Sequence, residues 1–355
     1  MNALSLPSLW RGLDAWFHEQ VPATRLGAFR ALVCAVALFD VLLYSQLVFQ
    51  DAATVTAGGE TRPWTPIYLF QVLRISPIGT DTAQIVLQVA VCSLTCGMLG
   101  IASRLSCLVG AAAFYYWTGL AYSFGKPHHD KIALAFAIAA LPFARVGAAA
   151  SIDAVVSRLW RKPNHERLVS GMPIRIAQFT IALGYCGAGI GKVLIGGVEW
   201  FNGYTLQGIM LGHDGPWSHF FASSVALAQL QSFGLVLVQA AFPLVLIWPR
   251  SRWFFLPFAT IFHLMTWKTM DTGPYMRLWL LLWAFVAIEE VPGTLRRWIA
   301  GGGVRAWLTM LGGIAYMALI FWVARGIVSG LWMAAISVVL ATLVIRSPRD
   351  RSVDA

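Results

Sequence analysis

Charge is scarce in this sequence. Only 12% of its 355 residues are Asp, Glu, Lys or Arg, whereas 58% are hydrophobic, and the mean hydropathy is +0.68. A soluble domain of this size could not bury so much apolar side chain. The apolar residues recur in runs of about 20, the length of a helix that crosses a bilayer. The composition predicts an all-α polytopic membrane protein, a bundle of about 8–10 transmembrane helices with the lipid bilayer as its surroundings.

Cysteine is also scarce, and its spacing follows no zinc or disulfide pattern. Every cysteine falls inside an apolar run, where a free cysteine is most often a small buried residue; the five are Cys34, Cys92, Cys96, Cys107 and Cys186. We therefore expect neither a disulfide framework nor a bound metal. The first apolar run starts late and has full length, so we expect no cleavable signal peptide.

Acidic residues are fewer than basic ones, 16 against 26, which gives a formal net charge of +10. In a soluble protein this excess would suggest a nucleic-acid partner. Here the basic residues lie in short loops between apolar runs, so we expect no nucleic acid. One alternating set of loops holds most of the Arg and Lys, including the basic segment 145–173 and the C-terminal tail. Both the N- and C-termini are therefore predicted to be cytoplasmic.

The apolar runs and the segments between them define the predicted organisation. An interfacial amphipathic arm is expected at 1–24, a main transmembrane domain at 25–290, a C-terminal transmembrane hairpin at 291–345 and a basic cytoplasmic tail at 346–355. A long polar loop is expected at 50–83. The predicted spans are, approximately, 26–49, 84–102, 105–124, 130–144, 174–195, 226–248, 253–267, 275–288, 304–328 and 331–345.

The fifth predicted span contains a lysine near its far end. Lys192 comes about 18 residues after the cytoplasmic start of the span, or roughly 27 Å along a helix, which places it towards the outer leaflet. Small residues crowd the same turns and would let a neighbouring backbone approach closely. An ionisable group in a membrane helix is a candidate functional residue, although the ammonium group could instead reach the interface. Tyr185 precedes Lys192 by seven residues and shares its helix face.

Other charged or titratable side chains also lie at or within the predicted spans. His128, His129 and Asp130 open the fourth span, where they could cap the helix or take part in chemistry, and no third metal ligand is placed by their spacing. His263 interrupts an apolar run, so both a structural and a functional role remain open. Asp40 lies in the middle of the first span and is expected to pair with another span.

Five stretches of the chain, in order, resemble the membrane part of the vitamin K-dependent γ-glutamyl carboxylases and of their bacterial relatives, the horizontally transferred transmembrane (HTTM) domain proteins. These are LGAFRALV from Leu26, RLSC at 104–107, PHHDKIAL at 127–134, YCGAGIGKVLIGGVEWFNGY at 185–204 and FHLM at 262–265. The third to fifth stretches, at these separations, are the most specific. The resemblance implies a carboxylase-like domain at 25–290 in a bacterial inner membrane.

The resemblance also implies roles for single residues. In the carboxylases, a lysine in an AG-x-x-K segment is the base that deprotonates the reduced quinone, and Lys192 matches it. The family's histidine at the start of the span after the RLSC hairpin corresponds to His128 or His129, and the later FH corresponds to Phe262 and His263. Contacts with substrate or with a reduced isoprenoid quinone of the vitamin K type are implied at Tyr185, Trp200, Tyr204 and Phe262.

Departures from the family limit what the resemblance implies. The carboxylases carry a large soluble domain after the membrane part, whereas two more spans are predicted here. Lys126 and Pro127 replace an Asn-rich context, and Gln239 stands where many bacterial relatives have an acid. The resemblance thus points to quinone or lipid chemistry more than to peptide carboxylation. A non-enzymatic scaffold or maturation partner for an exported peptide or membrane protein is the alternative; a transporter is disfavoured because no inverted repeat appears.

Overall fold

The computed structural model describes residues 6–59, 63–125, 131–160, 167–213, 216–270 and 281–286. The chain divides into two compact units, Met1–Thr180 and Ile181–Ala355, and the division falls inside a long helix. The described residues of both units are mainly helical. The predicted hairpin at 291–345 and tail at 346–355 lie outside the described residues, so the cytoplasmic position of the termini stays a prediction.

The described residues of the first unit form helices and one pair of short strands. Its elements, in chain order, are α1 (Leu6–Phe17), β1 (Gln20–Pro22), α2 (Ala23–Leu43), α3 (Ser45–Thr56), α4 (Tyr68–Val72), α5 (Thr80–Leu99), α6 (Ser103–Ser123), α7 (Ile132–Ala140), α8 (Ile152–Leu159), β2 (Leu168–Ser170) and the start of α9 (Met172–Gly196). A 3₁₀ turn at Leu141–Phe143 extends α7.

The second unit continues α9 and adds shorter helices. Its elements are a 3₁₀ turn (Gly197–Trp200), α10 (Tyr204–Leu211), α11 (Pro216–Ala222), α12 (Val225–Ala241), α13 (Leu244–Ile247), a 3₁₀ turn (Pro249–Ser251), α14 (Arg252–Met270) and a 3₁₀ turn (Leu282–Phe285). Buried Leu206, Met210 and Ala222 form a core that Phe221 and Met270 cover. This core joins α10 and α11 to the end of α14.

Each of the first seven predicted spans overlaps at least one helix. In the described part of the chain, three stretches are long and apolar enough to cross a membrane: α2, α5 and Met172–Trp200, with mean hydropathies of 2.1, 1.6 and 1.6. Ile132–Phe143 and Val225–Ala241 are shorter apolar helices. The helical, membrane-protein character of the chain is confirmed, and the total number of spans stays a prediction.

The predicted first span and the loop after it need a correction. The helix does not run to residue 49: α2 ends at Leu43, and α3 starts at Ser45 after a break at Tyr44. The Ser45 hydroxyl donates to the Leu42 carbonyl at 2.7 Å, a local bond of the kind that competes with regular helix. The predicted loop at 50–83 is also partly helical, since it contains the end of α3 and all of α4.

The N-terminal arm is attached to the segment before α9. Strand β1 pairs antiparallel with β2, with Val21 opposite Val169. Arg175, in the first turns of α9, forms an ion pair with Glu19, and its guanidinium lies 5.0 Å from the centre of the Trp16 ring. These contacts fix the arm to the beginning of α9, the helix that carries the candidate site.

LGAFRALV, the first of the five stretches that carry the family resemblance, has a structural role. Arg30 is fully buried and donates to three backbone carbonyls, those of Val146 at 2.8 Å, Ala150 at 2.7 Å and Met98 at 3.3 Å. Gly27 lies so near the same loop that an added Cβ would be 2.3 Å from the Ala149 oxygen. Helix α2 therefore holds the loop after α7, because a buried carbonyl needs a donor.

Asp40 pairs with Lys131, a residue of another predicted span, as the sequence analysis expects for a charge inside a span. Its Oδ2 lies 2.9 Å from Lys131 Nζ, and both side chains are almost completely buried. The Lys131 ammonium also lies 3.9 Å from the centre of the Tyr44 ring. The ion pair ties the last turn of α2 to the start of α7. The expectation of a pairing between predicted spans is thus confirmed, and Lys131 belongs to the PHHDKIAL stretch.

Candidate functional site

Near the far end of α9, at Gly189, the backbone of α12 lies very close. A Cβ on Gly189 would lie 2.5 Å from the Ala240 nitrogen and 3.0 Å from the Gln239 carbonyl carbon. Only glycine leaves room for this approach, as the small residues of the span predict. By contrast, a Cβ on Gly184, Gly187 or Gly191 would meet no described atom within 4 Å. Gly189 is thus the glycine that brings the end of α12 against α9.

Lys192 is partly buried and is directed at this contact. Its Nζ donates to Gln239 Oε1 at 2.9 Å and to the Ala188 carbonyl, one turn back on its own helix, at 3.2 Å. Gln239 is almost fully buried. Both acceptors are uncharged, and among the described residues no carboxylate lies within 4 Å of Nζ. The described residues therefore hold the amine in place by hydrogen bonds to neutral groups.

Trp200 completes the surroundings of Lys192. Its ring centre lies 5.2 Å from Nζ, within the range of a cation–π contact. The indole packs directly on Gly196, because a Cβ there would be 2.0 Å from Trp200 Cδ1. Gly196 and Lys192 are four residues apart and share a helix face. The glycine after the lysine thus makes room for the ring that lies over the amine.

Tyr185 and His263 form a second polar contact two helical turns before Lys192. Tyr185 Oη and His263 Nε2 are 2.5 Å apart, and both side chains are 5% exposed. The Tyr185 ring stacks on Phe242, with 4.1 Å between centres and 14° between planes. The end of α12 therefore supplies a partner to each of the two residues predicted to share a face of α9: Gln239 to Lys192 and Phe242 to Tyr185.

The remaining predicted residues lie at the edge of this arrangement or outside it. Phe262 is partly buried, with its ring 5.0 Å from that of His263. Tyr204 is exposed, and its backbone N–H donates to Asn202 Oδ1 at 2.9 Å at the start of α10. Gly203, with φ +82, lets this turn approach α12 at Gln229. His128 and His129 lie outside the described residues, so their place relative to the site stays a prediction.

Two residues of the site carried only a weak signal in the sequence. Gln239 is a polar residue in the run FGLVLVQAAF, but the sequence did not identify it as the partner of Lys192. Phe242 is one aromatic among the 21 phenylalanines of the chain, and nothing in the sequence marks it out. Pro243 follows it, and a proline cannot continue the hydrogen bonding of a helix. In the structure, α12 ends at Ala241, directly before Phe242 and Pro243.

Apolar side chains beside Lys192 are open to the surroundings. Leu194 is 79% and Ile195 92% exposed, and Val198 is similarly open. Such bare apolar side chains suit a lipid environment and not water. The amine thus lies close to a surface from which an oily molecule could approach.

No metal site is formed by the described residues, in which no group of three or more His, Cys, Asp and Glu is close enough to hold an ion. Because His128 and His129 are outside this part of the chain, the expected absence of a metal stays a prediction. Lys192, Gln239 and Trp200 instead offer an amine, an amide and an aromatic face. This set suits an uncharged, partly aromatic molecule that carries a hydroxyl group.

Comparison with known protein families gives a match over most of the chain. The family model described as HTTM domain matches residues 18–288, which is most of the chain and includes Lys192, Gln239 and His263. Comparisons with curated proteins and with solved structures find no match. Together with the apolar helices, the match shows that the chain is a membrane protein and belongs to the HTTM domain family.

Proposed function

We propose that this HTTM protein is a carboxylase-like membrane enzyme in which Lys192 is the base. The substrate would be a reduced isoprenoid quinone or another lipid-soluble molecule with an acidic hydroxyl. In the step that we assign to Lys192, the O–H bond of the substrate breaks, the proton moves to the Nζ lone pair, and the electron pair stays on the substrate oxygen. The observation that carries the proposal is that, within the described part of the chain, Nζ forms hydrogen bonds to neutral acceptors.

Neutral partners matter because a base must lose its own proton before it can accept another. A carboxylate beside Lys192 would stabilise the ammonium form through its charge. The Gln239 amide oxygen accepts a hydrogen bond without supplying a full negative charge, so the neutral amine remains accessible. The hydrogen bond also fixes the direction of Nζ, which a general base needs.

The surroundings of Lys192 support a substrate that arrives through the bilayer. Exposed Leu194 and Ile195 lie two and three residues beyond the lysine, and the Trp200 ring lies over the amine. We assign Trp200, Tyr204 and Phe262 to contacts with the flat ring of a quinol, and the Tyr185–His263 pair to a second polar centre. The isoprenoid tail of a bound quinol would lie on the lipid side, and its hydroxyl group would lie at Lys192 Nζ.

Orientation and location follow as part of the same proposal. The charge bias of the loops supports a bacterial inner membrane protein of ten spans with cytoplasmic ends, which puts Lys192 on the outer side. His128 and His129, at the start of the fourth predicted span, would then be on the same side. A site on the outer side of the membrane would also be accessible to an exported peptide or a membrane protein, which would be the second substrate.

Activity on a defined quinol tests the proposal. Purified full-length protein in nanodiscs would receive chemically reduced menadione, and its oxidation by dissolved oxygen would be followed by absorbance, because the deprotonated quinol reacts with oxygen faster than the quinol. Lys192→Ala should lower the rate to that of empty nanodiscs. Val193→Ala, the adjacent residue on a different face of α9, should keep the wild-type rate.

Two results would contradict the proposal. One is a wild-type rate equal to that of empty nanodiscs. The other is an equal rate for wild type and Lys192→Ala when both variants insert and show the same thermal unfolding midpoint. Either result would favour the alternative, a scaffold or maturation partner whose role needs no base.

A further inference from the structure

Helix α8, in the first unit, presents a continuous apolar face to its surroundings. The exposed apolar residues of this face follow the spacing i, i+3, i+4, i+7 and i+8, and they are Ile152, Val155, Val156, Leu159 and Trp160. Leu159 and Trp160 are the most open, at 75% and 73%. Side chains at this spacing lie on one side of a helix. The apolar face is therefore a contiguous surface, and such a surface indicates an interaction site.

Polar contacts hold the start of α8 against the turn between α5 and α6. Asp153 Oδ1 accepts from the Ala102 N–H at 2.8 Å, and Oδ2 accepts from the Ser103 N–H at 2.7 Å. The Asp153 N–H donates in turn to the Gly100 carbonyl at 3.0 Å. A Cβ on Gly100 would lie only 2.4 Å from Ser151 Cβ. Helix α8 is thus fixed in position at the end of α5 and the beginning of α6.

The apolar face of α8 is not the side by which the helix is attached. Ala154 is buried, and it lies about 200° around the helix from Ile152, because successive residues are about 100° apart. Ser157, on the same side as Ala154, is half-buried. The face that carries Val155 and Leu159 therefore points away from the attached side, and the protein environment of the described residues leaves it open.

The turn that holds α8 is one end of a helix long enough to cross a membrane. Helix α5 has 20 residues and a mean hydropathy of 1.6. At 1.5 Å per residue it is about 30 Å long, which is the thickness of the hydrocarbon core of a bilayer. Its end at Leu99 and the turn after it therefore lie at the boundary between acyl chains and headgroups. Helix α8, with 8 residues, is too short to cross the bilayer and is held at that boundary.

We propose that α8 is an interfacial helix, which lies in the plane of the membrane and inserts its apolar face among the phospholipids. Val155 and Leu159 contact the upper acyl chains, and Trp160 lies at the headgroup level, where indole rings are enriched. Arg158 is exposed beside the apolar face, and Arg161 and Lys162 follow in the sequence. A short helix with basic residues beside a face of Leu and Trp is typical of membrane-surface helices.

The bilayer is the occupant that these observations favour over a protein partner. The chain is a membrane protein, and α8 is attached at the level where the membrane surface meets the end of α5. The proposal holds for either leaflet, so it does not depend on the orientation of the chain. It is also independent of Lys192 and of any enzymatic activity.

Spin labels on α8 of the full-length protein test the proposal. The five native cysteines would be replaced by alanine, and a nitroxide would be attached at Val155→Cys, at Leu159→Cys or, as the matched control, at Arg158→Cys. Each protein would be placed in phosphatidylcholine nanodiscs, and the depth of the label would be measured from collisions with oxygen, which concentrates in lipid, and with a nickel chelate, which stays in water. Labels at 155 and 159 should lie about 5–10 Å into the boundary between headgroups and acyl chains, and the label at 158 should be shallower.

A second measurement uses the wild-type protein and decides the question if the cysteine-free protein does not fold. Nanodiscs that contain phosphatidylcholine with a diazirine on an acyl chain would be photolysed, and the lipid adducts would be mapped by mass spectrometry. Adducts are expected on the apolar face of α8. Exposed Ile85 and Val89 of α5 provide the positive control for contact with lipid.

Three results would overturn the proposal. Strong collisions with the nickel chelate at 155 and 159 would place the apolar face in water. Weak collisions with both reagents at these positions would show that protein covers the face, either a second copy or another part of the chain. Acyl-chain adducts on α5 without any on α8 would show that α8 does not reach the lipid.

Discussion

Gln239 accepts a hydrogen bond from Lys192 across 2.9 Å, from a buried position at the end of α12. The contact joins the candidate base to a neighbouring helix through a neutral group. It depends on the close backbone approach that Gly189 allows. The charge of the side chain at position 239 therefore decides how firmly a proton stays on the amine.

Replacing the Gln239 amide with a carboxylate should inactivate the site without unfolding the protein. In Gln239→Glu, an ion pair forms in place of the neutral hydrogen bond and keeps Lys192 as an ammonium, so we expect quinol oxidation to fall by about 10²-fold or more, the usual contribution of a general base. The thermal unfolding midpoint should stay the same or rise. Gln229→Glu makes the same charge change at an exposed position of α12 and should leave the rate unchanged. A wild-type rate in Gln239→Glu would show that the neutrality of Gln239 is irrelevant.

Adding one methyl group at Gly189 should push α12 away from α9. The new Cβ would be 2.5 Å from the Ala240 nitrogen, a backbone atom that cannot move aside cheaply, and overpacking of this kind costs about 1–3 kcal/mol. We expect Gly189→Ala to lower the unfolding midpoint and the quinol oxidation rate together. Gly184→Ala, at a position where the described residues leave open space, is the control and should not lower either value. Equal behaviour of the two variants would contradict the close approach.

The sequence alone predicted the helices well because length and hydropathy are local properties. The starts of α5, α6, α9, α12 and α14 lie within four residues of the predicted starts of their spans. The small residues before Lys192 and the shared face with Tyr185 could also be read from helical spacing. The break at Tyr44 was missed, because it depends on local bonding at Ser45 in a run that stays apolar on both sides.

The partners within the site could not be predicted in the same way. Which side chain of α12 meets Lys192 depends on the rotation and height of that helix against α9. A helix that is apolar on all sides gives no hydrophobic stripe from which to read that rotation. Gln239 was therefore noted only as a departure from the family, and Phe242 was not noted at all. The sequence predicted that Asp40 pairs with another span, since a buried charge needs a partner. It did not identify Lys131 as that partner.

The buried ion pair of Asp40 and Lys131 should give a strongly non-additive mutant cycle. Asp40→Asn or Lys131→Met alone leaves one charge in a buried position, which costs about 3–5 kcal/mol, and each should lower the unfolding midpoint sharply. The double variant removes both charges of this pair and should recover much of that loss. The measurement is the free energy of unfolding in detergent for all four proteins. Additive losses would show that the two side chains act separately despite the 2.9 Å contact.

The Tyr185–His263 contact should respond differently to loss of the hydroxyl and loss of the ring. Tyr185→Phe keeps a ring to stack on Phe242 at 4.1 Å but removes the partner of buried His263 Nε2, and leaving such a group without that bond costs about 1–3 kcal/mol. Tyr185→Leu removes the aromatic stacking as well, worth about 0.5–1.5 kcal/mol beyond the buried area, and should be less stable than Tyr185→Phe. Tyr204→Phe, which removes an exposed hydroxyl, is the control and should be neutral. If the unfolding midpoint of Tyr185→Phe equals that of the wild type, the 2.5 Å contact contributes nothing to stability, and the pair would have to be assessed by the rate of quinol oxidation alone.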